Sequence, residues 1–152
     1  MTDSDETATL TSEEKALLRA IRPAMAALLR AFDEDLRRAQ GLSHTEYIVL
    51  MFLSEAPDRT MRLSDLAELV QQSASALGRT VRRLEAQGLV SREQSAHDAR
   101  SFNAVLTDTG LARLKQAVPV HITSVRHRLF AQLEGVDLGK LATAFEHIAD
   151  SA

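Results

Sequence analysis

Cysteine is absent from the 152-residue sequence, which excludes disulfides, a thiol nucleophile and a thiol redox sensor. Tryptophan is absent too, and aromatic residues make up only 4% of the chain. A stacking platform for single-stranded nucleic acid is therefore not expected. With three prolines and six glycines, the chain has room for long helices joined by short connections. No apolar run approaches the roughly 18 residues of a membrane span. Met1–Glu14 is acidic and polar, unlike a signal peptide. The expected compartment is the cytoplasm, with no membrane partner. A net charge of −3 argues against coating nucleic acid non-specifically, but leaves room for a local basic patch.

Apolar and charged fractions of 45% and 26% are those of a globular protein, and the length suits one domain with a sizeable core. Met1 to about Leu10 has no core pattern and reads as a mobile arm. Thr11 and Glu14 then form a capping box for a first helix to about Ala39. Leu17, Leu18, Ile21, Met25, Leu28, Leu29, Phe32 and Leu36 give that helix a wide apolar stripe, more than a small domain needs, so a partner chain is expected. Pro23 should bend it. Ser43 and Glu46 form a second capping box for a helix over about 44–54, with Ile48, Leu50, Met51 and Leu53 inward.

The chain is organised around Ser64–Gly88. A short apolar-periodic helix (Leu66, Ala67, Leu69, Val70) meets a polar break at Gln71–Ser73, and a longer helix follows over about 74–87. Two helices joined so tightly must cross steeply, which is the helix-turn-helix arrangement. Ser64 is read as the N-cap of the first, with an anchoring contact to the DNA backbone as the alternative. On the second, Leu77, Val81 and Leu84 form one stripe, while Ser75, Arg79, Arg82, Arg83 and Ala86 occupy the opposite face. Its first turn is all small, Ser73-Ala74-Ser75-Ala76, which suits close approach to a surface and leaves N–H groups for phosphate. A solvated surface helix is the better account of the three arginines taken alone. The small first turn and the segment that follows decide against it.

Gly88 occupies a helix C-cap position. Leu89–Glu93 and Phe102–Leu106 read as two strands around the polar loop Gln94–Ser101, and a hairpin after a helix-turn-helix is the wing of a winged helix. Thr107 or Asp108 caps a long helix to about Leu133, interrupted by Pro119. Asp137 caps a last helix over about 138–149, with Leu141, Phe145 and Ile148 inward. The fold class is mainly α with a small β-hairpin. It comprises a winged helix-turn-helix lobe over about 43–106 and a helical dimerisation region from about 11–40 and 107–152.

Asp98-Ala99-Arg100, the strand 102–106 and Leu106-Thr107-Asp108-Thr109-Gly110 together resemble the D-x-R…L-T-x-x-G wing signature of the MarR family of bacterial regulators. Ser73–Arg92 resembles the same family's recognition helix and first wing strand, and the likeness runs from about Leu17 to Ile148. Gly78 and Ala104 depart from the pattern. Gly78 implies either a close neighbour or a locally soft helix. The resemblance implies a homodimer binding double-stranded DNA at a pseudo-palindromic operator, with repression as the usual outcome and release by a small aromatic or phenolic ligand. No enzymatic activity and no cofactor are expected.

On that reading Ser73, Ser75 and Ala76 lie nearest base edges, Arg79 enters the groove, Arg83 reaches phosphate, and Arg82 either does so or is solvated. Arg100 reaches the minor groove with Asp98 holding its guanidinium, and His97 adds a phosphate contact. An Asp98–Arg100 salt bridge that only shapes the loop is the alternative. The ligand candidates are His44, Tyr47, Phe52, His121 and Arg126. Each has a bland counterpart: Tyr47 and Phe52 fit core positions, and His121 can satisfy a carbonyl freed by Pro119. An enzyme is disfavoured: no Ser-His-Asp set, phosphate loop or paired-carboxylate site appears beyond chance, and Asp33-Glu34-Asp35 reads as a charged helix face. A metal-responsive or ligand-independent regulator remains an alternative, although no histidines are spaced i, i+4. A winged helix used for protein contact alone would not need these arginines.

Overall fold

The computed structural model describes residues 9–152. The arm expected over Met1–Leu10 lies, through residue 8, outside the described residues. Both capping boxes form. Thr11 Oγ1 accepts from Glu14 N at 3.1 Å and starts α1 (Ser12–Gln40), and Ser43 Oγ accepts from Glu46 N at 3.0 Å to start α2 (His44–Glu55). Gly41, at φ 66°, ends α1 in the left-handed region that a side chain resists. After a short 3-10 turn at Pro57–Arg59 come β1 (Thr60–Arg62), α3 (Leu63–Leu69) and α4 (Ala74–Ala86). Gly88, at φ 71°, then turns the chain into β2 (Val90–Gln94) and β3 (Phe102–Leu106). Thr107 caps α5 (Asp108–Arg128), and Asp137 caps α6 (Leu138–Ser151).

Four expectations are corrected. Ser64 is not a cap: α3 begins one residue before it, with Arg62 at the N-cap position and no side-chain cap bond, and the Ser64 hydroxyl faces Asp65 Oδ1 instead. The wing is three-stranded, because Thr60–Arg62 pairs with β3 in the antiparallel order β1-β3-β2. The helix expected to reach Leu133 ends at Arg128, and its last turn tightens to a 3-10 segment over Phe130–Leu133. Phe145 and Ile148 are not inward: they are 48% and 57% exposed, and no residue of α6 is buried.

The core lies between α2, α4 and the sheet. Leu50 and Leu53 of α2, Leu77, Val81 and Leu84 of α4, Leu89 and Val90 entering β2, and Ala104 of β3 pack there with Leu36 of α1 and Leu114 of α5. Burying a side chain of this size contributes about 1.5–3 kcal/mol. Tyr47 and Val49 are buried with Leu50 and Leu53, while Ile48 and Met51 pack at the edge of the cluster. Beyond the core, α1 and the last two helices present unpaired apolar surface. Leu17, Leu18, Met25 and Leu29 on α1, Ile122 on α5 and Phe145 and Ile148 on α6 all face solvent in the subunit.

The hinge between wing and α5 is a tight polar knot. Thr107 Oγ1 donates to the Gly88 carbonyl at 2.7 Å and accepts from Gly110 N at 2.9 Å, while Thr107 N donates to the Leu89 carbonyl. Gly110 lies so close to Leu89 O that a Cβ would overlap it and also crowd Leu106. The glycine of the L-T-x-x-G motif is thus required by close approach of helix to strand.

Candidate nucleic-acid interface

The turn between α3 and α4 is closed by backbone bonds from Gln71 N to Glu68 O and from Gln72 N to Ala67 O. Gln71 takes a left-handed φ of 53°. At the start of α4 the Ser73 hydroxyl accepts from Ala76 N at 3.2 Å and lies 3.3 Å from the Ser75 hydroxyl. Ser73 and Ser75 are exposed at the helix N-terminus, and Ala76 is half-buried beside them. The face opposite Leu77, Thr80, Val81 and Leu84 carries Arg79 and Arg82, both exposed. Neither has a carboxylate within 4 Å among the described residues.

A methyl group added at Gly78 would meet no atom within 4 Å, so the close-packing explanation for this glycine fails. What remains is a helix weakened by about 1 kcal/mol relative to alanine.

Arg83 behaves differently from the other two arginines. Its Nε donates to Glu46 Oε1 at 3.0 Å, and its Nη2 donates to Thr80 Oγ1 at 3.4 Å. The Glu46 side chain is only 6% exposed, and its second oxygen accepts from Ser43 N at 2.8 Å. Arg83, expected to reach phosphate, is committed to α2 in the free protein.

One further tie has no counterpart in the sequence expectations. Arg92 on β2 donates to Glu85 on α4 at 2.9 Å and lies 6.0 Å from the Phe102 ring centroid, fixing the wing against α4. The signal in the sequence is that Glu85 is the one acid between Gln71 and Arg92. Glu46 is visible there only as a capping residue, because its second partner lies 37 positions away.

The wing tip is shaped by its own polar groups. Asp98 Oδ1 accepts from Arg100 N at 3.0 Å, and Ser101 N donates to the Asp98 carbonyl. Gln94 Nε2 donates to Ala99 O at 2.6 Å. Asp98 therefore holds the Arg100 backbone and not, as expected, its guanidinium. His97 and Arg100 are exposed, and the Arg100 guanidinium forms no salt bridge among the described residues.

Three of the five ligand candidates converge. The His121 ring of α5 is 4.6 Å from Tyr47 and 5.4 Å from His44, with Phe32 of α1 closing the group at 5.2 Å. His121 Nδ1 is buried without a hydrogen-bond partner, so it does not satisfy a carbonyl of its helix. Burial pushes the His44 and His121 pKa values down, the first opposed by Asp33 and the second reinforced by His44. Burial, with Glu55 nearby, pushes the Tyr47 hydroxyl up. Phe52 packs against the core without joining the ring group, and Arg126 is exposed with no ion pair among the described residues. Two open grooves of about 540 Å³ each run along α1 and α5, and none of the five candidates lines either.

Asp33-Glu34-Asp35 is more than a charged face. Asp33 accepts from Arg37 and from His44 N. Asp35 accepts from Ser124 Oγ at 2.6 Å and from Arg128, tying α1 to α5. The bonds from Arg128 and Ser124 hold the Asp35 carboxyl below the usual range. No cluster of three His, Cys, Asp or Glu side chains suited to a metal occurs among the described residues, and none of the described helices is long and apolar enough to cross a membrane.

A profile of the MarR family matches residues 40–101, from the end of α1 to the wing tip. The fold superposes on a MarR family transcriptional regulator from Streptomyces coelicolor, solved in complex with DNA. The TM-score is 0.87 and the identity 33%, over 94% of this chain and 90% of that one. The chain belongs to the MarR family. Members of the MarR family are DNA-binding transcriptional regulators and not enzymes. AbsC, a second MarR family regulator from Streptomyces coelicolor, is 35% identical over 94% of this chain and 96% of its own, with a TM-score of 0.86. The transcriptional repressor YetL of Bacillus subtilis is 30% identical over 86 residues. That match spans 57% of this chain and 52% of YetL, about half the relative's length.

Proposed function

We propose that the protein is a cytosolic transcriptional repressor that binds an inverted-repeat operator as a homodimer. The lobe 43–106 reads DNA, and the segments 11–40 and 107–152 join the two copies. The observation that carries the reading is the exposed face of α4, where Arg79 and Arg82 stand without acidic partners beside the small turn Ser73–Ala76. That turn enters the major groove, with Ser73 and Ser75 at base edges and Ala76 able to meet a thymine methyl. Arg79 contacts base or phosphate, and Arg82 contacts phosphate. Arg100 reaches the flanking minor groove, while His97 lies on the backbone. The related Streptomyces regulator in complex with DNA and the YetL repressor support this assignment.

Unpaired apolar surface on α1 and α6 supports the dimer. Two reading heads on a two-fold axis match half-sites about 10 bp apart. The ring group of Phe32, His44, Tyr47 and His121 is the proposed contact for a small aromatic effector, which would favour a head spacing unsuited to the operator.

A duplex selected by the protein from a random pool, followed by a mobility shift at moderate salt and light scattering, tests the reading. The expected result is a symmetric sequence shifted by a particle of twice the subunit mass. A monomer, or no selected sequence, would refute it. Calorimetry with a panel of aromatic acids tests the effector: it predicts heat of binding and release of the duplex.

A further inference from the structure

We infer that Glu46 is a positioning residue for the recognition helix, and that Arg83 stays bound to Glu46 instead of moving to phosphate when α4 enters DNA. The inference rests on the DNA-binding reading above and refines it.

Both oxygens of Glu46 are already used. One accepts from Ser43 N at 2.8 Å and closes the first turn of α2; the other accepts from Arg83 Nε at 3.0 Å on α4. The carboxylate is nearly sealed from water, while the arginine is half exposed. Moving Arg83 to a phosphate would leave a buried carboxylate with no cation beside it. That costs more than a single exposed phosphate contact returns. The guanidinium is also turned toward the seam between the helices, because Nη2 donates to Thr80 Oγ1, and the Thr80 hydroxyl in turn donates to the Ala76 carbonyl. The pair is therefore anchored to the first turn of α4, the part proposed to meet base edges. Arg79 and Arg82 have no such commitment among the described residues. The three arginines of α4 consequently divide into two that face DNA and one that sets the angle at which they do so.

The test is a fluorescence titration of the full-length protein against its selected duplex and a scrambled one, between about 50 and about 200 mM salt. The proteins compared are wild type, R82Q, R83Q, R83K, E46Q and E46Q/R83Q. R82Q is expected to flatten the plot of log affinity against log salt by about 0.9, the loss of one phosphate contact. R83Q should leave that slope unchanged, weaken the selected duplex by about tenfold and leave the scrambled one nearly untouched. E46Q should have the same effect, and the double variant should be no worse than either single one. R83K, which keeps a cation beside Glu46, should retain more selectivity than R83Q. A slope reduced by about 0.9 in R83Q would overturn the inference. So would single-variant losses that multiply in the double variant. If E46Q does not fold, the R83Q slope and its selectivity decide. A wild-type protein that selects no duplex overturns the DNA-binding reading, and this inference with it.

Discussion

Gly110 sits against the carbonyl of Leu89 with no space between them for a methyl group. The contact joins the first turn of α5 to the entry of β2, and its other wall is the Leu106 side chain, so neither neighbour can retreat without moving the wing. Gly110→Ala should therefore destabilise the protein by about 1–3 kcal/mol. Urea unfolding should show a lower midpoint. Surviving folded protein should bind its duplex more weakly, because the wing has shifted.

Gly78 is the opposite case. A methyl group there meets open space, and the backbone is ordinary helix. Gly78→Ala should stabilise the protein by up to about 1 kcal/mol through helix propensity and a less flexible unfolded chain. Calorimetry should report a raised Tm; an unchanged or lowered one would contradict the absence of a neighbour.

Arg100 projects from a tip held by Asp98 through the backbone. Arg100→Ala should weaken operator binding and flatten its salt dependence by about 0.9, while Asp98→Ala should weaken binding without that flattening. Parallel titrations at several salt concentrations separate the two effects.

Leu18 and Ile148 are 63% and 57% exposed in the subunit. Leu18→Glu and Ile148→Glu should each shift the particle toward subunit mass in light scattering and abolish cooperative occupation of both half-sites. A dimer that survives both changes would place the interface elsewhere.

His44 and His121 have pKa values lowered by burial, so the folded protein favours their neutral forms. The unfolded chain takes up protons first, at about pH 6.5. The stability contributed by the neutral pair is therefore complete above that pH and falls as the pH drops through it toward the lower folded values. Thermal melts should show Tm falling between about pH 7 and about pH 5, less steeply in His121→Gln. Asp35 is lowered by Arg128 and Ser124, so its contribution persists through that window and is lost only as the pH falls below about 4.

What the sequence reveals is governed by neighbours along the chain. Both capping boxes, the Gly88 turn, the inward stripe of α4 and the hairpin follow from residues within a few positions of each other. The ties between elements have no local signature. Arg83 meets Glu46 across 37 positions, and Arg128 meets Asp35 across 93. In sequence Thr60-Met61-Arg62 reads as a short extended piece leading into Ser64, but its pairing with β3 is not visible there, because a strand of three residues exists only through its partner. Helical spacing reports that the Phe145 and Ile148 face is apolar, not which molecule covers it, and so it points them wrongly to the subunit's own core. Among the site residues, exposure of Arg79, Arg82 and Arg100 agrees with the pattern, whereas the Arg83 and Asp98 partners depend on geometry.

The first turn of α2 serves two masters. His44 and Tyr47 lean on the ring of His121, while Glu46, between them in the chain, grips the arginine of α4. On the proposal that the ring group holds the effector, selection for a new inducer would act on residues immediately beside the one inferred to set operator fit. On that reading effector range and promoter choice should drift together, and a biosensor engineer retuning the first would be obliged to re-measure the second.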